Sequence, residues 1–280
     1  MSFTTFSTRK DGATLHVTFS NGEVNMMSAT MAGELFALVG ELAVDSETKV
    51  VVFDSDNSDF FIAHFDINDI VKLLEGDPSI PVSKTKDLNI LQALGLSLAN
   101  LPQVTIAKID GICRGGGFEF MLALDMCFAT EDSKFCFPEA SGGFLPAGGG
   151  TTLLPLKAGS GRALEIMLTG RDFSGAEAAQ YNVINRAFTS AEELDSYVSD
   201  VLERIARNDS AANQAVKSVL KQTFSGMNEG VFAGLAQENL AMNECLSDPV
   251  VFEQLKLLAE NSGNREQELD LPATISSLKS

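Results

Sequence analysis

Residues 104–129 read VTIAKIDGICRGGGFEFMLALDMCFA, and this stretch decides the fold. A β-branched run, Val104 to Ile109, predicts a strand, while Phe118, Met121, Leu122 and Leu124 recur at helical spacing. Between them stand Gly115, Gly116 and Gly117, which let a loop bring its backbone against a ligand. A helix starting there points unpaired N–H groups and a positive dipole end at whatever lies in front of it. Such preorganised donors suit an oxyanion, each contributing roughly 3 to 4 kcal/mol to a transition state. Glu119 stands in the first helical turn. A second carboxylate, Glu139, follows Pro138 at the end of the apolar segment Phe135–Phe137. Two carboxylates near one oxyanion site suggest acid and base roles.

Outward from this stretch, strands are predicted at 14–19 (TLHVTF), 49–53 (KVVVF), 126–130 and 134–137. Helical patterns run from Met27 to Leu42 and from Leu88 to Leu98. Strands alternating with helices argue an α/β fold. Gly148, Gly149 and Gly150 lack the Gly-Lys-(Ser/Thr) of a nucleotide-binding loop and are expected to begin another helix along the pocket wall. Beyond Gly159 the pattern is mostly helical, with capping-box matches at Ser174/Glu177 and Ser190/Glu193. Asn208–Ser210 divides an α/β body, 1–207, from a C-terminal helical region, 208–280, expected to serve oligomerisation and to form a lid over the active site. That region's apolar faces (Phe232, Leu235, Leu240, Met242, Phe252, Leu255, Leu258) are expected to meet a neighbouring subunit, and the charged tail after Gly263 to be loosely held.

The 280 residues, 45% of them hydrophobic, suffice for a substantial core. With 20 basic against 38 acidic residues the formal charge is −18, which disfavours nucleic acid and anionic membranes as partners. The N-terminal stretch is polar and no run approaches a membrane span, so a cytoplasmic protein is expected. Cys113, Cys127, Cys136 and Cys245 lie in apolar contexts without Cys-x-x-Cys pairing and read as reduced thiols. Only His16 and His64 are available, and no metal site is expected.

Five segments in order resemble the crotonase superfamily, the enoyl-CoA hydratase/isomerase group: VVVFDS at 50–55, DFFIAHFDI at 59–67, TIAKIDGICRGGGFEFMLALDMCFA at 105–129, FPEASGGFLPAGGGTTLLP at 137–155 and ALEIMLTGRDFSGAEAAQYNVINRAF at 163–188. The resemblance implies a spiral of ββα turns followed by C-terminal helices, assembled as a homotrimer or a dimer of trimers. It implies oxyanion amides at Phe65 and Gly116 and catalytic acids at Glu119 and Glu139. A substrate-binding set of Ala63, Phe65, Asp66, Ile67, Gly115 and Gly116 follows too. The implied reaction is hydration of a 2-enoyl-CoA, with isomerisation, thioester hydrolysis or a non-catalytic binding role on the same fold as alternatives. The CoA thioester is the substrate, and no cofactor is needed.

Three departures stand out. His64 replaces the glycine usual in the first oxyanion loop. The lysines usual near the nucleotide end of CoA are absent, those places reading Gly22 or Glu23 and Asn68; Arg114, Lys84, Lys86 and Lys256 are the candidate substitutes. The C-terminal segment is also unlike the family.

Overall fold

A computed structural model describes residues 3–80, 87–223 and 225–278, without the side chains of 221–229. An antiparallel hairpin of β1 (Phe6–Asp11) and β2 (Thr14–Phe19) opens the chain, and helix α1 (Ala29–Leu42) follows, its Ser28 cap accepting from the Met31 amide. Met27, expected within that helix, instead precedes it and bridges to Phe65. Three similar turns come next. The first holds β3 (Val50–Ser55), β4 (Phe60–Ile62), α2 (Ile67–Leu74) and α3 (Ile90–Ala99). The second holds β5 (Val104–Ile109), β6 (Ile112–Arg114) and α4 (Gly115–Leu122). In the third, β7 (Met126–Thr130) and β8 (Lys134–Cys136) lead to a 3-10 turn at Glu139–Gly142, then α5 (Gly150–Ala158) and α6 (Ser160–Thr169). The α/β body ends with β9 (Phe173–Ser174), α7 (Gly175–Gln180) and β10 (Arg186–Phe188).

Each turn gives one strand to each of two sheets, ordered β1-β2-β3-β5-β7-β10 and β4-β6-β8-β9. This is the expected ββα spiral. In β3 the run Val50–Phe53 is wholly buried, as a parallel strand covered on both faces should be. The Ser174/Glu177 capping box closes in both directions; at Ser190 only the forward bond to the Glu193 amide forms, because the Glu193 carboxylate turns to Thr189.

Helices α8 (Ala191–Arg207), α9 (Ser210–Thr223), α10 (Ser225–Leu246), α11 (Pro249–Asn261), α12 (Arg265–Leu269) and α13 (Leu271–Ser277) complete the chain. They fold back on the body, α10 against α5 and α11 against α2. Leu235, Leu255 and Leu258, expected to serve a neighbour, are therefore buried within this chain, while Phe232 and Leu240 remain exposed. The tail is not loosely held. Leu271 and Ile275 pack with Leu258 and Ile67, and Glu268 is fully buried. No described helix is long and apolar enough to cross a membrane.

Candidate active site

Helix α4 positions Glu119 by anchoring the residues on either side of it. Phe118 stacks on Phe137 with ring centroids 4.4 Å apart and meets Phe135 and Phe173. Phe120 packs edge-on to Phe19 and Phe53. With both neighbours held in aromatic clusters, the rotation of α4 about its axis is fixed and Glu119 is carried toward the glycine turn at 148–150. There its Oε1 accepts from the amides of Gly148 at 2.6 Å and Gly150 at 2.9 Å. These glycines begin α5, as expected.

Glu139 starts the 3-10 turn and is 8% exposed, and its Oε2 has no hydrogen-bond partner among the described residues. Burial pushes Glu139 up to about 8, the His64 charge opposing. Burial also raises Glu119 well above the usual carboxylate range, helped by the negative charge of Glu139 and opposed by the two glycine amides. Two carboxyls so placed titrate as a pair and keep a proton where isolated acids would not.

The two amides named in the sequence meet at one place. His64 O accepts from Met27 N and Asp66 N donates to Met27 O, both at 2.9 Å, so the N–H of the bridged Phe65 faces away from Met27. Gly116 lies in the first turn of α4, where the N–H has no intrahelical partner. Neither amide is bonded among the described residues. A Cβ on Gly116 would stand 3.1 Å from Phe65 N and 2.8 Å from Phe65 Cβ, and one on Gly117 would meet Ile62 O at 2.6 Å. Glycine is required at both positions because α4 approaches Ile62 and Phe65 this closely.

A cavity of about 170 Å³ joins these groups, with Phe65, Gly116, Glu119 and Glu139 in its wall. Ile67 and His64 also line it. Ala63, Asp66 and Gly115 do not. Ala63 packs in a small cluster with Phe60 and Ile112, Asp66 caps α2 through the Asn68 amide, and Gly115 separates Glu139 from His64. Most of the remaining wall is apolar, with Ile70, Leu73, Leu91, Phe144, Met242 and Leu246, while Asp69, Asn89, Asn239 and Asn243 add polar groups. Among the described residues no cluster of histidine, cysteine, aspartate or glutamate is suited to a metal ion.

Arg114 is not available to a ligand. Its side chain is fully buried, donating to both Asp172 oxygens at 2.8 and 2.7 Å and to the carbonyl of Glu268 at 2.5 Å. Arg114→Ala is expected to lower the unfolding free energy by about 2 to 4 kcal/mol, since it removes a fully buried guanidinium from the half-buried Asp172 and from the carbonyl of Glu268; urea denaturation measures this. Lys256 is held by Glu253 and the Phe252 ring. Lys84 and Lys86 lie outside the described residues.

Sequence reasoning missed Glu238. This carboxylate of α10 is 3% exposed and accepts from Gly149 N at 2.7 Å, Thr152 N at 3.0 Å and Gln92 Nε2 at 3.1 Å. Glycines 148 and 150 thus face Glu119 while Gly149 between them faces Glu238. Its nearest signal was the buried side of α10, beside Leu235.

Residues 9–244 match the family model described as Enoyl-CoA hydratase/isomerase. The chain belongs to this family. It resembles the crystal structure of a "putative enoyl-CoA hydratase" from Streptomyces avermitilis, with 34% identity, a TM-score of 0.88 and 99% of each chain covered. It is 29% identical over 224 residues to the methylglutaconyl-CoA hydratase of Rattus norvegicus, covering 80% of this chain and 69% of that one. It is 27% identical over 213 residues to the carnitinyl-CoA dehydratase of Proteus mirabilis, covering 76% and 78%.

Proposed function

We propose that the protein hydrates a 2-enoyl-CoA. The observation that carries this reading is the convergence of two buried carboxylates and two unbonded amides on one cavity. The thioester carbonyl lies against the Phe65 and Gly116 amides, which take up charge as the enolate forms. Glu119, whose carboxylate is favoured by two glycine amides, accepts a proton from water as its oxygen bonds to Cβ. Glu139 gives a proton to Cα. One proton is taken and one given, so the pair ends with the same total charge. The homologous hydratase and dehydratase catalyse reactions of this type by name. The predominance of apolar residues in the cavity wall favours an acyl chain without charge.

Mass spectrometry of products from 2-enoyl-CoAs of graded length tests the reading. Addition of one water supports it, whereas unchanged mass with a moved double bond, or release of free CoA, replaces it by isomerisation or hydrolysis. Because hydration draws on a proton that the two coupled carboxyls hold between them, the rate is expected to fall as pH rises through about 8 and the pair loses it, and a pH–rate profile checks this.

We also propose self-association as a trimer or dimer of trimers. Leu164 and Leu168, one turn apart on α6 and 57% and 69% exposed, support it as apolar surface for a partner copy to cover.

A further inference from the structure

Two of the three departures from the family pattern, His64 and the C-terminal segment, meet each other. The His64 ring is buried, with Nδ1 at 2.7 Å from Phe65 O and Nε2 at 3.0 Å from Glu268 Oε1. A backbone carbonyl only accepts, so Nδ1 carries a proton. Nε2 faces a carboxylate whose Oε1 also accepts from Gly263 N at 3.0 Å. A protonated ring donating at both nitrogens satisfies every one of these atoms.

Helix α12, which carries Glu268, is fastened independently. Arg114 donates to the carbonyls of Glu268 and Leu269, and Arg265 pairs with Asp59. Glu268 is thereby delivered to a fixed point 204 residues along the chain from His64. On its other side His64 approaches the second acid: a Cβ on Gly115 would stand 3.2 Å from His64 Cβ and 2.9 Å from Glu139 Oε1. The charged groups around the ring are thus Glu268 from α12, Glu139 from the 3-10 turn and, behind Glu268, Arg114 with Asp172.

We propose that His64 and Glu268 are positioning residues for the hydration: the tail carboxylate holds the ring as a cation that pins the backbone at Phe65 and stands beside Glu139. This rests on the roles given above to Phe65 and Glu139. With His64 O and Asp66 N tied to Met27 and Phe65 O tied to the ring, the Phe65 N–H is held in a fixed direction and has no partner among the described residues. The cation also makes Glu139 a stronger acid. Glu268 overcomes the effect of burial and raises His64, while the ring holds Glu268 below the usual carboxylate range against its own burial.

The chain has two histidines, so ring NMR of the labelled protein, assigned with His64→Gln, reads His64 directly and without any substrate. The wild-type midpoint is expected above the ordinary histidine value of about 6.5 and is expected to fall in Glu268→Gln. A midpoint below that value, or one unmoved by Glu268→Gln, overturns the proposal. In pH–rate profiles with a 2-enoyl-CoA, His64→Gln and Glu268→Gln should both move the basic limb to higher pH, because removing the cation raises Glu139. A structural role alone would lower the melting temperature and leave the limb in place, and that result overturns it as well. If Glu268→Gln does not fold, the neutral double variant His64→Gln/Glu268→Gln carries the same limb test. Folded wild type with the expected titration but no turnover would sink the hydration reading and the positioning role with it, leaving the pair a structural latch.

Discussion

Glu119→Gln is expected to lose turnover by about 10² to 10⁴-fold, the usual contribution of a positioned acid or base, while the folded protein becomes more stable. The gain follows from the direction of the pKa shifts. Burial raises Glu119 and Glu139 above their ordinary values. An acid raised in the folded state contributes fully below its unfolded value and loses that contribution as pH rises through the folded one. At neutral pH the pair therefore costs stability. Glutamine is neutral throughout, and its side-chain carbonyl can keep the amide bonds from Gly148 and Gly150. Each kcal/mol recovered raises the melting temperature by roughly 2 to 4 °C in a protein somewhat smaller than this one. Thermal scans at neutral and acid pH check it: the advantage should shrink as pH falls below the ordinary carboxylate value. A variant less stable at neutral pH, or one that keeps its activity, contradicts the assignment.

Gly116→Ala is expected to reduce kcat by about 10² to 10³-fold, the loss seen when one oxyanion donor is removed. The added methyl would lie 2.8 Å from Phe65 Cβ and 3.1 Å from Phe65 N, closer than packed atoms tolerate, so the two amides must move apart. The neighbouring atoms belong to backbone and to the first side-chain carbon, which cannot swing aside as a long side chain would. Steady-state kinetics with a 2-enoyl-CoA read the effect. A kcat within twofold of wild type would mean that these amides do not hold the reacting carbonyl.

Much of the fold was legible because its signals are local. The triple glycine between a β-branched run and a helical apolar run marks the β6–α4 junction, and similar strand-to-helix changes mark the other turns. Glu119 and Glu139 were legible because each follows a short motif whose backbone course is set by its neighbours. The groups that support them were not. Glu238 approaches the glycine turn from a helix far along the chain, and neither periodicity nor spacing records such a meeting. Arg114 read as a possible ligand contact because an arginine beside glycines looks the same whether it faces a pocket or a buried aspartate; Asp172 decides the matter. The tail read as loose from its charge, yet Glu268 and Arg265 are spent on His64 and Asp59. Partners so distant in sequence are visible only after folding.

The most direct test is a crystal structure of Glu119→Gln with a 2-enoyl-CoA bound in the cavity. The thioester oxygen is expected about 2.7 to 3.1 Å from both the Phe65 and Gly116 amides, with Cβ facing the position 119 side chain and Cα within reach of Glu139. A carbonyl directed elsewhere, or an acyl chain that leaves either acid remote from its double bond, would contradict the account.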